Sequence, residues 1–249
     1  MTREGGFMGS QPLWDGANRP GNWSVLDVYN RQRRNLWTPD PLVNNVVCDL
    51  KFNGLNNGIV FNDNSPLNLI VSRIGTTGAV TSTGQVKYGT ASGLFPDTNG
   101  YLSVNNSNLV LGTGNFTFEA WLFVATSRAN NGIVSLGAAN SSFSNNMMHV
   151  FNNSLAVASA SAIASIPLNT WFHVAYVREG IATNQAKTYL NGTLINQSTN
   201  TINYTQTFYN IGVYFSSAYC WGGNIDNFRV TKAARYLTNF NPETDTYMS

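Results

Sequence analysis

Ionisable side chains are scarce in this chain: Asp, Glu, Lys and Arg together make up 10% of the residues and leave a net charge of +2. A balance this small gives no general field for a nucleic acid or an anionic membrane. The one local basic cluster, Arg31, Arg33 and Arg34, reads as a solvated helix face. Two cysteines, Cys48 and Cys220, allow at most one disulfide and exclude a disulfide scaffold or a clustered metal site. They read as reduced and buried. The two histidines, His149 and His173, each lie among apolar neighbours and read as core or interface imidazoles. No Gly-x-Ser-x-Gly elbow supports nucleophilic catalysis. The start, MTREGGFMGS, lacks an apolar h-region, and no apolar run is long enough to span a bilayer, so neither export nor membrane insertion is expected. Helix has little foothold outside residues 24–34 and Lys232 to Leu237.

Polarity comes instead from Asn, Thr, Ser and 22 Gly, the composition of β-rich surfaces with many turns. From Val46 onward, short strand patterns recur about every ten residues, the spacing of a sandwich or barrel. They are VVCDLKF, LNLIVSR, GYLSV, GIVSL, MMHVF, LAVAS, WFHVAYVR, KTYL, TLINQS, FYNIGVY and IDNFRV. Among them stands LGTGNFTFEAWLFV (Leu111 to Val124), apolar on both faces, hence a central strand covered on each side. On one face lie Phe116, Phe118, Ala120, Leu122 and Val124, and on the other Thr117, Glu119, Trp121 and Phe123. A carboxylate at Glu119 must be paired or hydrogen-bonded, because burying it alone costs several kcal/mol. Its candidate partners are Arg178, Arg229 and His173. Between KTYL and TLINQS, Asn191-Gly192 marks a two-residue hairpin whose turn needs positive φ twice.

Residues 1–43 differ from the rest. They hold Trp14, Trp23 and Trp37 and show no sustained alternation. WSVLDVYNRQRR has helix signals, with Ser24 as N-cap and Trp23 placed to staple against Val28, and the Pro39 and Pro41 stretch then favours an extended linker. Three tryptophans are costly to leave in water, so this arm is expected to dock, with Trp14, Trp23, Tyr29 and Trp37 as its contacts. The chain thus reads as a docking arm, 1–43, and an all-β domain, 44–249.

LGTGNFTFEAWLFV, NTWFHVAYVREG, KTYLNGTLI and GGNIDNFRVTKAARY, in this order and at these separations, resemble the laminin G-like branch of the concanavalin A-like lectin/glucanase jelly rolls. The resemblance covers roughly Val46 to Phe240 and implies two antiparallel sheets packed face to face. It also implies first and last strands that are neighbours, with IDNFRV beside VVCDLKF. Arg-Tyr shortly after the last strand and the closing Phe240-x-Pro242 are similar to domains of tailed-phage virion proteins and of some bacterial surface proteins. WSVLDVY with Trp37 and Pro39 resembles a short terminal segment of phage structural proteins.

The fold implied by this resemblance also hosts retaining glycosidases, which need two closely spaced carboxylates, but the only glutamates are Glu4, Glu119, Glu179 and Glu243. No strand places a second acid two or four residues from Glu119 on the same face, so an enzyme is not expected. The resemblance allows calcium at a sheet rim, where Asp63, Asn64, Asp97 and Asn99 offer oxygens. Tyr214, Tyr219 and Trp221 in VYFSSAYCWGG, together with Phe215, are the glycan-contact candidates, since sugar rings stack on aromatic faces. Glu119, Arg178 and Arg229 are the structural charges. The function implied is a phage virion structural protein, a capsid decoration or a tail fibre, made in the host cytoplasm and displayed on the virion surface. It would join other virion proteins through its arm, form a homo-oligomer, expected as a trimer, and meet host surface glycans. The alternative is a carbohydrate-binding adhesin module of a bacterial surface protein.

Overall fold

The computed structural model describes residues 40–126, 129–137, 146–158, 160–214 and 216–242. The expected docking arm, with Trp14, Trp23, Tyr29 and Trp37, lies outside the described residues except for 40–43, and so does Phe215. The chain divides between Pro41 and Leu42, and all the strands belong to the second unit.

Fifteen described strands form two antiparallel sheets. The central stretch is β6 (Phe116–Phe123). It pairs on one side with β11 (Phe172–Arg178) and on the other with β15 (Gly223–Thr231). Beyond β11 follow β12 (Ala186–Leu190) and β13 (Thr193–Ser198). The far edge of β15 is shared by β1 (Val46–Leu50), the expected neighbour, and β4 (Ser92–Phe95), which carries β3 (Val80–Ser82). The second sheet runs β10 (Ala160–Ser165), β9 (Ser154–Val157), β8 (Asn146–Phe151), β7 (Asn130–Leu136), β14 (Phe208–Ile211), β5 (Tyr101–Asn105) and β2 (Val71–Ile74).

Alternation decides what each sheet buries. Phe116, Phe118, Ala120 and Leu122 of β6 and Val174 and Tyr176 of β11 face the other sheet. They meet Leu102, Val104, Val134, Leu136, Met148, Val150, Tyr209 and Ile211 in one core. Each of the larger aliphatic or aromatic side chains contributes about 1.5–3 kcal/mol on leaving water. The β12–β13 turn has Asn191 at φ 49° and Gly192 at φ 75°, the positive pair that its dipeptide predicts.

Two expectations shift. LNLIVSR forms a strand only from Val71, because Asp63 organises what precedes it. Asp63 is 3% exposed, and its carboxylate accepts from Asp49 N, Ser65 N, Ser65 Oγ and Leu69 N at 2.6–3.0 Å. Residues 63–69 are thereby wound into a turn, with Asn68 at φ 45°. Lys232 to Leu237 is not helical, since its polar groups are drawn to the sheet it crosses.

Candidate functional site

The outer face of the β15–β6–β11–β12 sheet carries the chemistry. Glu119 lies opposite Arg229 on β15 and Ala175 on β11 and is 0% exposed. Its Oε1 accepts from Arg229 Nε at 2.8 Å, with Arg235 Nε 3.7 Å away. Its Oε2 accepts from Tyr236 Oη at 2.7 Å, and His173 Nε2 stands 3.5 Å off. Burial alone would push the carboxyl's pKa up. Arg229, His173 and Arg235 outweigh that and hold it well below the ordinary carboxylate range. An ion pair this buried, with both oxygens engaged, works as a lock.

The segment after β15 closes over that lock as a strap. Thr117 Oγ1 donates to Ala233 O and accepts from Arg235 N. Lys187 Nζ donates to Leu237 O, Tyr189 Oη to Tyr236 O, and Phe240 N to Gly192 O. Tyr236 and Phe240 stack at 3.6 Å over a small second core of Ala175, Val177 and Tyr189. The Arg-Tyr and Phe-x-Pro signatures are therefore the strap's anchors.

Past the strap, the same face carries an aromatic row. Trp121 lies opposite His173 and Asp226. Its ring is 5.3 Å from His173 and 5.9 Å from Tyr88, with Lys87 Nζ 3.9 Å above it, a cation–π contact. Next along, Phe123 and Trp171 meet at 5.7 Å, both half-buried. Beneath this row Trp121 Nε1 and both His173 ring nitrogens have no hydrogen-bond partner among the described residues. Asp226, 0% exposed, accepts from Lys87 N and Tyr88 N at 3.0 Å and from Asn227 N at 2.9 Å. Desolvation raises its pKa to about 6, against the pull of those three amides.

Of the residues that the sequence singles out, Glu119 and Arg229 meet. Arg178 does not join them, because it lies opposite Phe116 and so faces inward. There it donates to the carbonyls of Gly112, Gly114 and Ile202 at 2.7–2.9 Å and lies over the Phe116 ring. As glycan contacts, Trp221 and Tyr214 are corrected. Trp221 is 0% exposed in the core and donates Nε1 to Asn224 O, because the Val213–Cys220 bridge folds the loop back into the sandwich. Tyr214 is 8% exposed against the His149 ring at 4.3 Å. Tyr219 is half-buried. Asp63 is likewise corrected as a calcium ligand, its oxygens being taken by four donors, and Asp97 is exposed on a different loop. Among the described residues no group of three His, Cys, Asp or Glu stands together that could hold a metal ion. Cys48 and Cys220 are free and buried. Trp171, Phe123, Lys87, Tyr88 and Asp226 were not among the expected site residues. The first two were legible as aromatics on the parity opposite to the core.

Comparison with known proteins agrees with this architecture. Domain 4 of AbnA, an extracellular arabinanase from Geobacillus stearothermophilus solved in complex with arabinotriose, superposes with a TM-score of 0.57. The two share 14% identity over 76% of this chain and 93% of that one. The botulinum neurotoxin serotype G binding domain gives a TM-score of 0.54 at 14% identity over 77% of this chain. The neurotoxin DC binding domain in complex with SialylT gives 0.53 at 14% identity over 78%. This chain spans about half the length of each neurotoxin domain, 49%. No curated protein sequence matches. The sequence profile described as Concanavalin A-like lectin/glucanases superfamily matches residues 96–238, more than half of the chain, which therefore belongs to that superfamily, in its laminin G type.

Proposed function

We propose that the chain is a non-enzymatic structural protein of a phage particle, a capsid decoration or tail appendage, that presents this lectin-like jelly roll to host surface glycans. The observation that carries the binding role is the division of the outer sheet face. The strap seals the half that holds Glu119. The other half carries Phe123 and Trp171, half-buried, beyond Trp121, whose ring meets Lys87 and Tyr88. Aromatic faces beside polar groups are what sugar rings stack on. Arabinotriose on the arabinanase domain and SialylT on a neurotoxin domain support the same reading. The virion role rests on the sequence of the arm and on the strap signatures, and a trimer on the particle would multiply weak contacts.

Two experiments test the proposal. Deleting Met1 to Val43 is expected to leave a folded domain that no longer joins the particle; normal incorporation of the truncated protein would refute the attachment role. On a glycan array the full chain is expected to bind saturably, with Trp171→Ala weakening binding at least tenfold, and an unchanged array profile would remove the aromatic row from the reading. A second reading, an adhesin module of a bacterial surface protein, is favoured by the arabinanase domain, which is itself one part of a larger protein. Localisation of the native protein to cells rather than particles would select it.

A further inference from the structure

A cavity on the inner side of the β11 sheet, the face opposite to the aromatic row, has the chemistry of a small-molecule site. It holds about 300 Å³ and is lined by Val157, Ala158, Tyr176 and the run from Ser198 to Ile202. That volume is at the lower end of ligand pockets. It opens where the end of β9 approaches the segment after β13.

Its floor is a fixed polar group. Asn200, 5% exposed, donates Nδ2 to Tyr176 Oη at 2.7 Å and to Tyr204 Oη at 3.0 Å. Its Oδ1 accepts from Ile202 N at 3.1 Å. That last bond fixes which way the amide points, since a reversed amide would set two donors against each other. Both tyrosine hydroxyls are therefore acceptors toward Asn200, and each keeps its own proton to donate. Tyr176, 1% exposed, holds that donor at the base of the cavity. Desolvation pushes its pKa up, so it stays a neutral phenol. The rim supplies hydroxyls from Ser198, Thr199 and Thr201, the walls are the apolar side chains of Val157 and Ile202, and among the described residues no charged side chain lines the space. Ala158, on the wall, is held at φ 47°, a left-handed conformation that is costly for a residue other than glycine. Ala158 opens the two-residue connection of the β9–β10 hairpin, a turn that calls for positive φ.

We infer that this cavity binds one neutral pyranose unit, a ring oxygen or hydroxyl accepting from Tyr176, the rim hydroxyls engaging the other hydroxyls, and Val157 and Ile202 covering a C–H face. An uncharged lining that offers hydroxyls and amides selects against ionised sugars, which would be desolvated without a counter-charge. The site is independent of the outer-face row and stands or falls separately from it.

The test is saturation-transfer NMR and titration of the full chain with methyl glucoside, methyl galactoside, methyl mannoside and methyl N-acetylglucosaminide, with methyl glucuronide as the charged control. Thr201→Trp overhangs the mouth from an exposed position. Tyr176→Phe removes only the floor hydroxyl and leaves Asn200 bonded to Tyr204. Expected is millimolar binding of at least one neutral glycoside, weakened at least tenfold in both variants, and at least tenfold weaker for the glucuronide. Binding that survives Thr201→Trp and Tyr176→Phe, binding lost only in Trp171→Ala, or no binding of any neutral glycoside overturns the inference.

Discussion

Replacing Glu119 by Gln tests the lock on the outer face most directly. The change keeps the side-chain shape and removes one charge at a site where Glu119 is 0% exposed and the Arg229 and Arg235 side chains are 2% and 5% exposed. Two guanidiniums are then left buried without their common carboxylate. Breaking a buried pair from one side costs about 3–5 kcal/mol, because the remaining charge is uncompensated. For a domain of this size that is a fall in melting temperature of roughly 10 °C, read by urea and thermal unfolding followed by tryptophan fluorescence. Tyr236→Phe, which removes one hydrogen bond to the same carboxylate, is expected to cost about 1.5–3 kcal/mol. The pH dependence gives a second readout. The folded-state pKa of Glu119 is depressed, so its contribution is complete above the unfolded carboxylate value and is lost as pH falls below it. The wild type should therefore lose more stability than Glu119→Gln on acidification below about pH 4.5. A cost under about 1 kcal/mol, with parallel acid limbs, would show that strap packing rather than charge pairing holds this face.

Gly192→Ala is expected to destabilise by about 1–3 kcal/mol by thermal unfolding, since Gly192 has φ 75° and an added Cβ would sit 1.9 Å from Phe240 O; strap amides near Phe240 should then exchange faster. Asp226 has a raised folded-state pKa, about 6, so its stabilising term is complete below the unfolded value and disappears as pH rises through about 6. His149, buried and depressed to about 4, loses its term as pH falls from about 6.5 to 4, the opposite slope. Asp226→Asn should therefore unmask stability that rises steeply between pH 4 and 6.5 in denaturant titrations, and an unchanged pH profile would contradict the burial of that carboxylate. Cys48 and Cys220, both buried, should react with a thiol reagent only at the rate of global unfolding.

Alternation along the chain is what made the fold legible. Phe116, Phe118, Ala120 and Leu122 could be placed on one face of β6 because nothing interrupts their period. Of the missed strands, β3 (Val80–Ser82) is only three residues long, and β4 and β10 have little side chain to alternate. In β4 the residue is Gly93, whose added Cβ would meet the Phe52 ring at 2.6 Å, so the small residue exists to let a ring lie on the strand. In β10, Ala160–Ser165 holds mainly Ala and Ser, which have weak strand preference. Parity also misleads wherever a bulge intervenes. Asp226 and Arg229 are three apart, which in a regular strand sets them on opposite faces. Asn227 at φ 46° absorbs one residue, the register shifts between 226 and 229, and both side chains reach the outer face. Arg178 illustrates the reverse case. Its parity relative to Ala175 sends it inward, but only the β6–β11 register, which no single sequence displays, says that Ala175 rather than Tyr176 faces Glu119.

The same bulge bears on catalysis. It places a second carboxylate, Asp226, on the strand next to Glu119 and on the same face, with the two titrations pushed in opposite directions. In a glycosidase such a divergence separates a nucleophile from an acid. Here the chemistry of each group points elsewhere. Glu119 gives one oxygen to Arg229 and the other to Tyr236, so both oxygens are held by donors within the sheet face. Asp226 accepts from the amides of Lys87 and Tyr88, which holds the 87–88 segment, and from its neighbour Asn227 N. Both are 0% exposed, whereas a retaining mechanism needs the two carboxyls to flank a bound glycosidic bond. The acids fix the two covers of the sheet, the strap over one half and the 87–88 turn beside the other. Phe123 and Trp171 lie further along the same face, half-buried and in contact with each other, and it is this pair that the proposed binding role uses.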